Sequence, residues 1–141
     1  MRTGREAGIF VRRGDEFLLL HRVQERYWHI AAGVVEEGEE FAAAAARELR
    51  EETGLDATLT DLAMPQSYRI PPELRADYAP GLEDVTIQSY VAEAPAGWEP
   101  VLNEEHDDYR WCSVSEAVAL AHWPETIEVI AALARPSAAP P

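Results

Sequence analysis

The segment Phe41–Thr53 constrains this chain more than any other. Five consecutive alanines, then Arg47, Glu48 and Leu49, form a run of strong helix formers, and Gly54 stands where a left-handed residue closes a helix. At about 100° per residue, Glu48, Glu51 and Glu52 share one arc of such a helix, because positions i, i+3 and i+4 are surface neighbours. Ala42, Ala45, Ala46 and Leu49 fall on an adjoining arc suited to packing on a sheet. The acids therefore sit at the margin of a buried face. Exposed like charges at this spacing cost a few tenths of a kcal/mol per pair, and more where water is partly excluded. A hard divalent cation cancels that repulsion, and Mg²⁺ or Mn²⁺ suits such oxygen ligands. Solvated glutamates on an acidic surface are the competing explanation, so the surroundings decide.

Around this helix the chain reads as strands first and helices last. Residues 7–11 and 16–20 are β-like runs across a turn at 12–15, which predicts a hairpin, and 28–32 is a further short apolar run. Residues 36–40 read as an acidic loop entering the helix, where carboxylates suit the macrodipole. Strands are expected at 57–62, 64–70, 85–92 and 109–112, with a long proline-containing loop at 71–84 that is functional or mobile, and a second loop at 94–103. Ser113 or Ser115 caps a helix over 116–121, a last helix covers 125–134, and the Pro/Ala-rich tail at 136–141 is expected to fray. A chain of 141 residues without a dividing linker or repeats suits one domain, placed at 1–135. The expected class is α/β (α+β): an α/β/α sandwich with a mixed sheet and the glutamate-bearing helix packed on it.

The charge balance narrows the partners. With 26 acids against 12 bases, all arginine, the formal charge is −14. Such a surface repels a phosphate backbone, which disfavours nucleic acid polymers and anionic membranes as partners. No apolar run approaches the roughly 20 residues needed to cross a bilayer, and residues 1–6 carry no secretory apolar core. One cysteine, Cys112, leaves no internal disulfide and no cysteine-based metal site. These features fit a cytoplasmic protein.

The surroundings of the helix settle the glutamates. From Gly33 the order is five residues, Glu39, seven residues, Arg47-Glu48-Leu49, one residue, Glu51-Glu52, one residue, Gly54-Leu55. Average residue usage gives a chance match on the order of one in a billion per window. Gly33 and Gly38 suit a tight loop, Leu49 and Leu55 anchor the helix, and Arg47 with Glu39 forms a charge-assisted pair that orients the other carboxylates. The spacing resembles the signature of the Nudix hydrolases at every specified position. That resemblance implies that Glu48 and Glu52 ligate Mg²⁺ or Mn²⁺, with Glu51 a further ligand or bridge and the Gly33 carbonyl facing the same ion. It also implies hydrolysis of a phosphoanhydride in a nucleoside diphosphate linked to another group, by water attacking phosphorus. The cation explains how so acidic a protein takes a polyanion, a small phosphorylated metabolite.

Family members take a further carboxylate from a later loop, and the acidic stretch 103–108 before Trp111 resembles it, with Glu105 the best match. Glu52 is the first choice for activating water and Glu105 the second. Arg22 and Arg26, ahead of the signature, are candidate phosphate contacts. His21, His29, His106 and His122 have no metal-ligand spacing and read as packing or surface residues, while Trp28 or Tyr27 is a candidate to stack on a base.

Residues 75–81, the strand to Tyr90, and Glu105-His106 with Tyr109 and Trp111 are similar to the dihydroneopterin triphosphate and dATP pyrophosphohydrolase branch. Arg75 is then a substrate contact, and the products are pyrophosphate and a nucleoside or pterin monophosphate. The chain departs from the branch at Asp77, where a base is usual, and at Ala31-Ala32 before Gly33. ADP-ribose, diadenosine polyphosphates and oxidised purine triphosphates are the alternative substrates, and a nucleotide-sensing module or an acidic Ca²⁺-binding domain the non-enzymatic alternatives.

Overall fold

The computed structural model describes residues 1–134, so the tail expected to fray at 136–141 lies outside them. The predicted hairpin forms from β1 (Arg5–Arg13) and β2 (Glu16–Arg22) across the two-residue turn Gly14-Asp15. Gly14 has φ 60°, the left-handed conformation that such a turn demands and a Cβ resists.

The two strands pair only beside their turn, at Arg12↔Phe17 and Arg13↔Glu16. Beyond it they diverge. The vacated edge of β1 is filled by β4 (Ala31–Val34), antiparallel from Ile9↔Ala31 to Glu6↔Val34. The freed edge of β2 takes β3 (Trp28–His29). The single run expected at 28–32 is thus two strands broken at Ile30, because one straight strand cannot ladder onto two neighbours that have separated.

On its other side β1 runs parallel to β7 (Asp84–Glu93) from Arg5↔Thr86 to Arg12↔Glu93, and β8 (His106–Cys112) lies antiparallel to β2. The strands expected at 57–62 and 64–70 shrink to β5 (Thr60–Asp61) and β6 (Gln66–Arg69), both antiparallel to β7. Ala63 between them takes φ 52°, with its N–H donated to the Asp61 carboxylate at 2.8 Å, which breaks the extended backbone. The loop at 71–84 contains a 3-10 helix, Pro72–Asp77, and Tyr78 after it is buried with Ile70 and Val85.

Each face of the sheet carries a helical layer. Ala7, Ile9, Val11, Leu18 and Leu20 pack with Ala44, Ala45 and Leu49 of α1 (Phe41–Thr53). Phe10, Phe17 and Leu19 pack on the other side with Ala117 of α2 (Val114–Leu120) and Val129 and Ile130 of α3 (Pro124–Ala134). This is the expected α/β/α arrangement with a mixed sheet. Helix α1 ends as expected on Gly54, φ 79°, whose N–H bonds the Arg50 carbonyl. Its buried arc is rotated from the expected one: Ala44, Ala45, Leu49, Glu52 and Thr53 are buried, while Ala42 is exposed. Ser113, not Ser115, caps α2 in a reciprocal capping box with Glu116. No helix among the described residues is long and apolar enough to cross a membrane.

Candidate metal centre

The signature residues gather where α1 lies against β4 and the loop that follows it. Gly33 on β4 lies under the Glu48 side chain so closely that a methyl group there would overlap the carboxylate. That contact, not a special backbone angle, is what this position requires of its residue. Arg47 holds the arrangement from outside. Its Nε and Nη2 each donate to the Glu39 carboxylate at 2.9 Å, a two-pronged pair, while Nη2 also reaches the Val34 carbonyl at 3.1 Å and Nη1 reaches Glu48 at 2.7 Å. Arg47 lowers the Glu39 pKa to about 2. The loop carrying Glu39 is fastened again by Arg5, which donates to the Glu36 and Glu39 carbonyls at 3.0 Å. The Glu39 carboxylate therefore serves Arg47, as the sequence reading expected, and the Glu36 N–H, and it gives the helix N-terminus no cap.

The three helical glutamates separate in depth. Glu51 is exposed and touches only the fringe of Arg47, at 3.5 Å. Glu48 is partly buried. Glu52 retains 1% exposure, deeper than the margin position its spacing implied. One of its oxygens receives a long bond from the Ala32 N–H at 3.4 Å, and Oε2 has no partner. Burial first, and then the proximity of the Glu48 carboxylate, hold the Glu52 carboxyl well above neutrality.

Glu105 arrives from the turn before β8, its carbonyl pinned by the Val23 N–H at 3.0 Å. Glu52, Glu105 and His106 each present a potential ligand atom, all within 4.8 Å of one another. His106 was read from sequence as a packing or surface residue. Here its side chain is fully buried, with Nε2 3.7 Å from Glu52 Oε1 and without a hydrogen-bond partner. Burial, and then the charge of Arg22, lower its pKa to about 4 and keep the ring neutral. The cause of its placement is a β-bulge. The β2–β8 register passes from His21↔Asp108 to Arg22↔His106, leaving Asp107 unpaired, so simple alternation back from Trp111 and Tyr109 picks the wrong residue.

The predicted arginines divide. Arg22 is near enough for its charge to act on Glu52 and His106, with its guanidinium on Glu25 at 2.9 and 3.1 Å. Arg26 is exposed on the following turn at φ 61°. Arg75 is exposed on the 3-10 helix, and no hydrogen bond or ion pair among the described residues joins it to the glutamates. Tyr27 stacks one ring face on His122 at 4.3 Å, whereas Trp28 lines an open groove with His21, Asp107 and Asp108.

A divalent cation fits this donor set. Two buried polar atoms lack partners, Glu52 Oε2 and His106 Nε2, and the clustered carboxylates repel one another without a positive charge.

The chain is similar to known proteins over most of its length. The NUDIX domain family matches residues 2–133. An octanoyltransferase of Myxococcus xanthus is 35% identical over 114 residues, which cover 75% of this chain but only 29% of that protein. The dihydroneopterin triphosphate diphosphatase of Escherichia coli K12 is 33% identical over 73% of this chain and 71% of its own. The structure of the E. coli dihydroneopterin triphosphate pyrophosphohydrolase superposes with a TM-score of 0.79 at 28% identity, covering 92% and 93% of the two chains. An asymmetrical bis(5'-nucleosyl)-tetraphosphatase of Mus musculus is 33% identical over 78% of this chain and 72% of that one.

Proposed function

The chain belongs to the NUDIX domain family, and from that premise we propose that it is a divalent-metal-dependent pyrophosphohydrolase, splitting a nucleoside or pterin triphosphate into the monophosphate and pyrophosphate. The observation that carries this reading is the buried Glu52, set against Glu48 on its own helix and within 4.8 Å of the Glu105–His106 turn.

In this reading Glu48, Glu52, Glu105 and the Gly33 carbonyl hold Mg²⁺ or Mn²⁺. The ion supplies positive charge to the phosphate oxygens and acidifies water. Glu52, in its ionised form, would take the proton of the attacking water, and Glu105 is the alternative base. Arg47 touches no substrate; it positions Glu48 and, through Glu39, the loop that brings Gly33 under it. Glu51, exposed, would be the outermost of the residues holding the ion. Arg22 is the arginine best placed for phosphate, Arg26 extends the same turn, and Arg75 is assigned to the distal part of the substrate by its likeness to the branch alone. Attack at either phosphorus flanking the α–β bridge gives the same products.

Phosphorus NMR of reactions run with Mg²⁺ and with Mn²⁺ tests the proposal across dihydroneopterin triphosphate, deoxynucleoside triphosphates, ADP-ribose and dinucleotide polyphosphates. Pyrophosphate from a triphosphate is the expected product. Orthophosphate alone, or no turnover of any triphosphate, contradicts it. The similarity to the mouse tetraphosphatase gives a second reading, and faster turnover of a dinucleotide polyphosphate than of any triphosphate selects it.

A further inference from the structure

We infer that His106 Nε2 is a metal ligand, sharing one divalent cation with the carboxylates of Glu52 and Glu105. The inference rests on the metal-dependent reading above and adds a nitrogen donor to a site whose signature residues offer only oxygen.

Three observations carry it. First, His106 has a fully buried side chain, yet its Nε2 has no hydrogen-bond partner, and a buried polar nitrogen is costly to leave unmatched. Second, Glu52 also keeps an unpartnered buried oxygen, Oε2, and its other oxygen stands 3.7 Å from that nitrogen. That separation is too long for a hydrogen bond, but suits two donors flanking a common ion. Third, the Nδ1 side of the ring faces the Asn103 amide oxygen at 3.3 Å. Ligating imidazoles commonly give their second nitrogen to such an acceptor, which fixes the tautomer that leaves Nε2 free to bind. The Asp107 bulge then has a purpose. Were Asp107 paired with Arg22 in regular alternation, it would take the α1 face of the sheet and His106 would leave it.

The chemical consequence is selectivity. Mg²⁺ favours oxygen ligands, whereas transition ions accept imidazole readily, so a mixed site shifts preference toward Mn²⁺ and its heavier neighbours. Replacing His106 by asparagine is expected to weaken Mn²⁺ binding about 10- to 100-fold while changing Mg²⁺ affinity far less.

The decisive experiment loads the full chain with Mn²⁺ and records electron spin-echo modulation, in natural-abundance protein and in protein carrying 15N-histidine. The expected result is 14N modulation that converts to the 15N pattern on labelling and disappears in H106N. Bound Mn²⁺ without nitrogen modulation, or modulation that survives in H106N, overturns the inference and leaves the pyrophosphohydrolase reading standing. Failure of the chain to bind Mn²⁺ or Mg²⁺ at all overturns both. If H106N does not fold, Zn²⁺ titration of the unaltered 15N-labelled chain decides the question: a shifted His106 Nε2 resonance supports ligation, and an unmoved one refutes it.

Discussion

Replacing Glu52 by glutamine is expected to stabilise the metal-free protein while abolishing turnover. The reason lies in where the carboxyl sits. Glu52 is almost wholly buried beside Glu48, and its folded-state pKa is held far above the ordinary 4.5. Above that ordinary value the unfolded chain has released a proton that the folded chain keeps, so rising pH favours unfolding. Each pH unit costs about 1.4 kcal/mol, which between 4.5 and 7 amounts to roughly 3 kcal/mol. Glutamine is neutral at every pH and avoids this cost. For a domain near this size the gain corresponds to a rise in Tm of about 6–12 °C at pH 7, and it shrinks to a few tenths of a kcal/mol near pH 4.5, where half of the unfolded chains are still protonated. Saturating divalent ion should erase the advantage. At about 100 times its Kd an ion adds roughly 2.7 kcal/mol to the native chain that binds it, and the variant lacks a ligand. Thermal melts at pH 4.5, 6 and 7.5, in chelator and in millimolar Mg²⁺ or Mn²⁺, measure each quantity. A variant that melts at or below the parent at pH 7.5 in chelator would refute the reasoning, since the buried carboxyl would then cost the fold nothing.

Three further outcomes follow from the same geometry. Gly33→Ala places a methyl group against the Glu48 carboxylate and is expected to lower divalent-ion affinity at least about tenfold by calorimetric titration; unchanged affinity removes Glu48 from the site. Arg47→Lys keeps the charge but loses the fork that joins Glu39 to the Val34 carbonyl, so kcat/KM is expected to fall about 10- to 100-fold, and parental kinetics would show that charge alone suffices. Ser113→Ala removes the cap of α2 far from the glutamates and is expected to cost about 1 kcal/mol in denaturant unfolding with kcat unchanged.

What the sequence revealed followed the regularity of its elements. Helix α1 is an uninterrupted helix, so residue spacing alone placed Glu48 and Glu52 side by side and Gly54 at its end. The depth of Glu52 was not legible, because it depends on how far the helix rolls over the sheet, and Ala44 rather than Ala42 turned inward. Period-two reasoning failed wherever the backbone departed from a plain ladder. The left-handed Ala63 shortened the two strands expected on either side of it, the divergence of β1 and β2 split another run at Ile30, and the unpaired Asp107 hid the place of His106, read as a packing or surface residue. Arg22 was legible as a candidate, but its engagement with Glu25 was not, since nothing in the spacing reveals a turn that folds that glutamate back.

The unpaired residue in β8 marks the point where the strand can change length and keep its pairing when the protein is redesigned. Deleting Asp107 removes an exposed acid from an already acidic surface, a change that composition would rank as harmless. In the strand it is the residue that the ladder skips: without it Asp108 and His106 become consecutive, plain alternation keeps the imidazole opposite Arg22, and what is lost is the local bend of the bulge. Libraries that vary residues 103–108 at constant length keep the bulge, whereas those that omit Asp107 straighten the ladder with His106 still opposite Arg22.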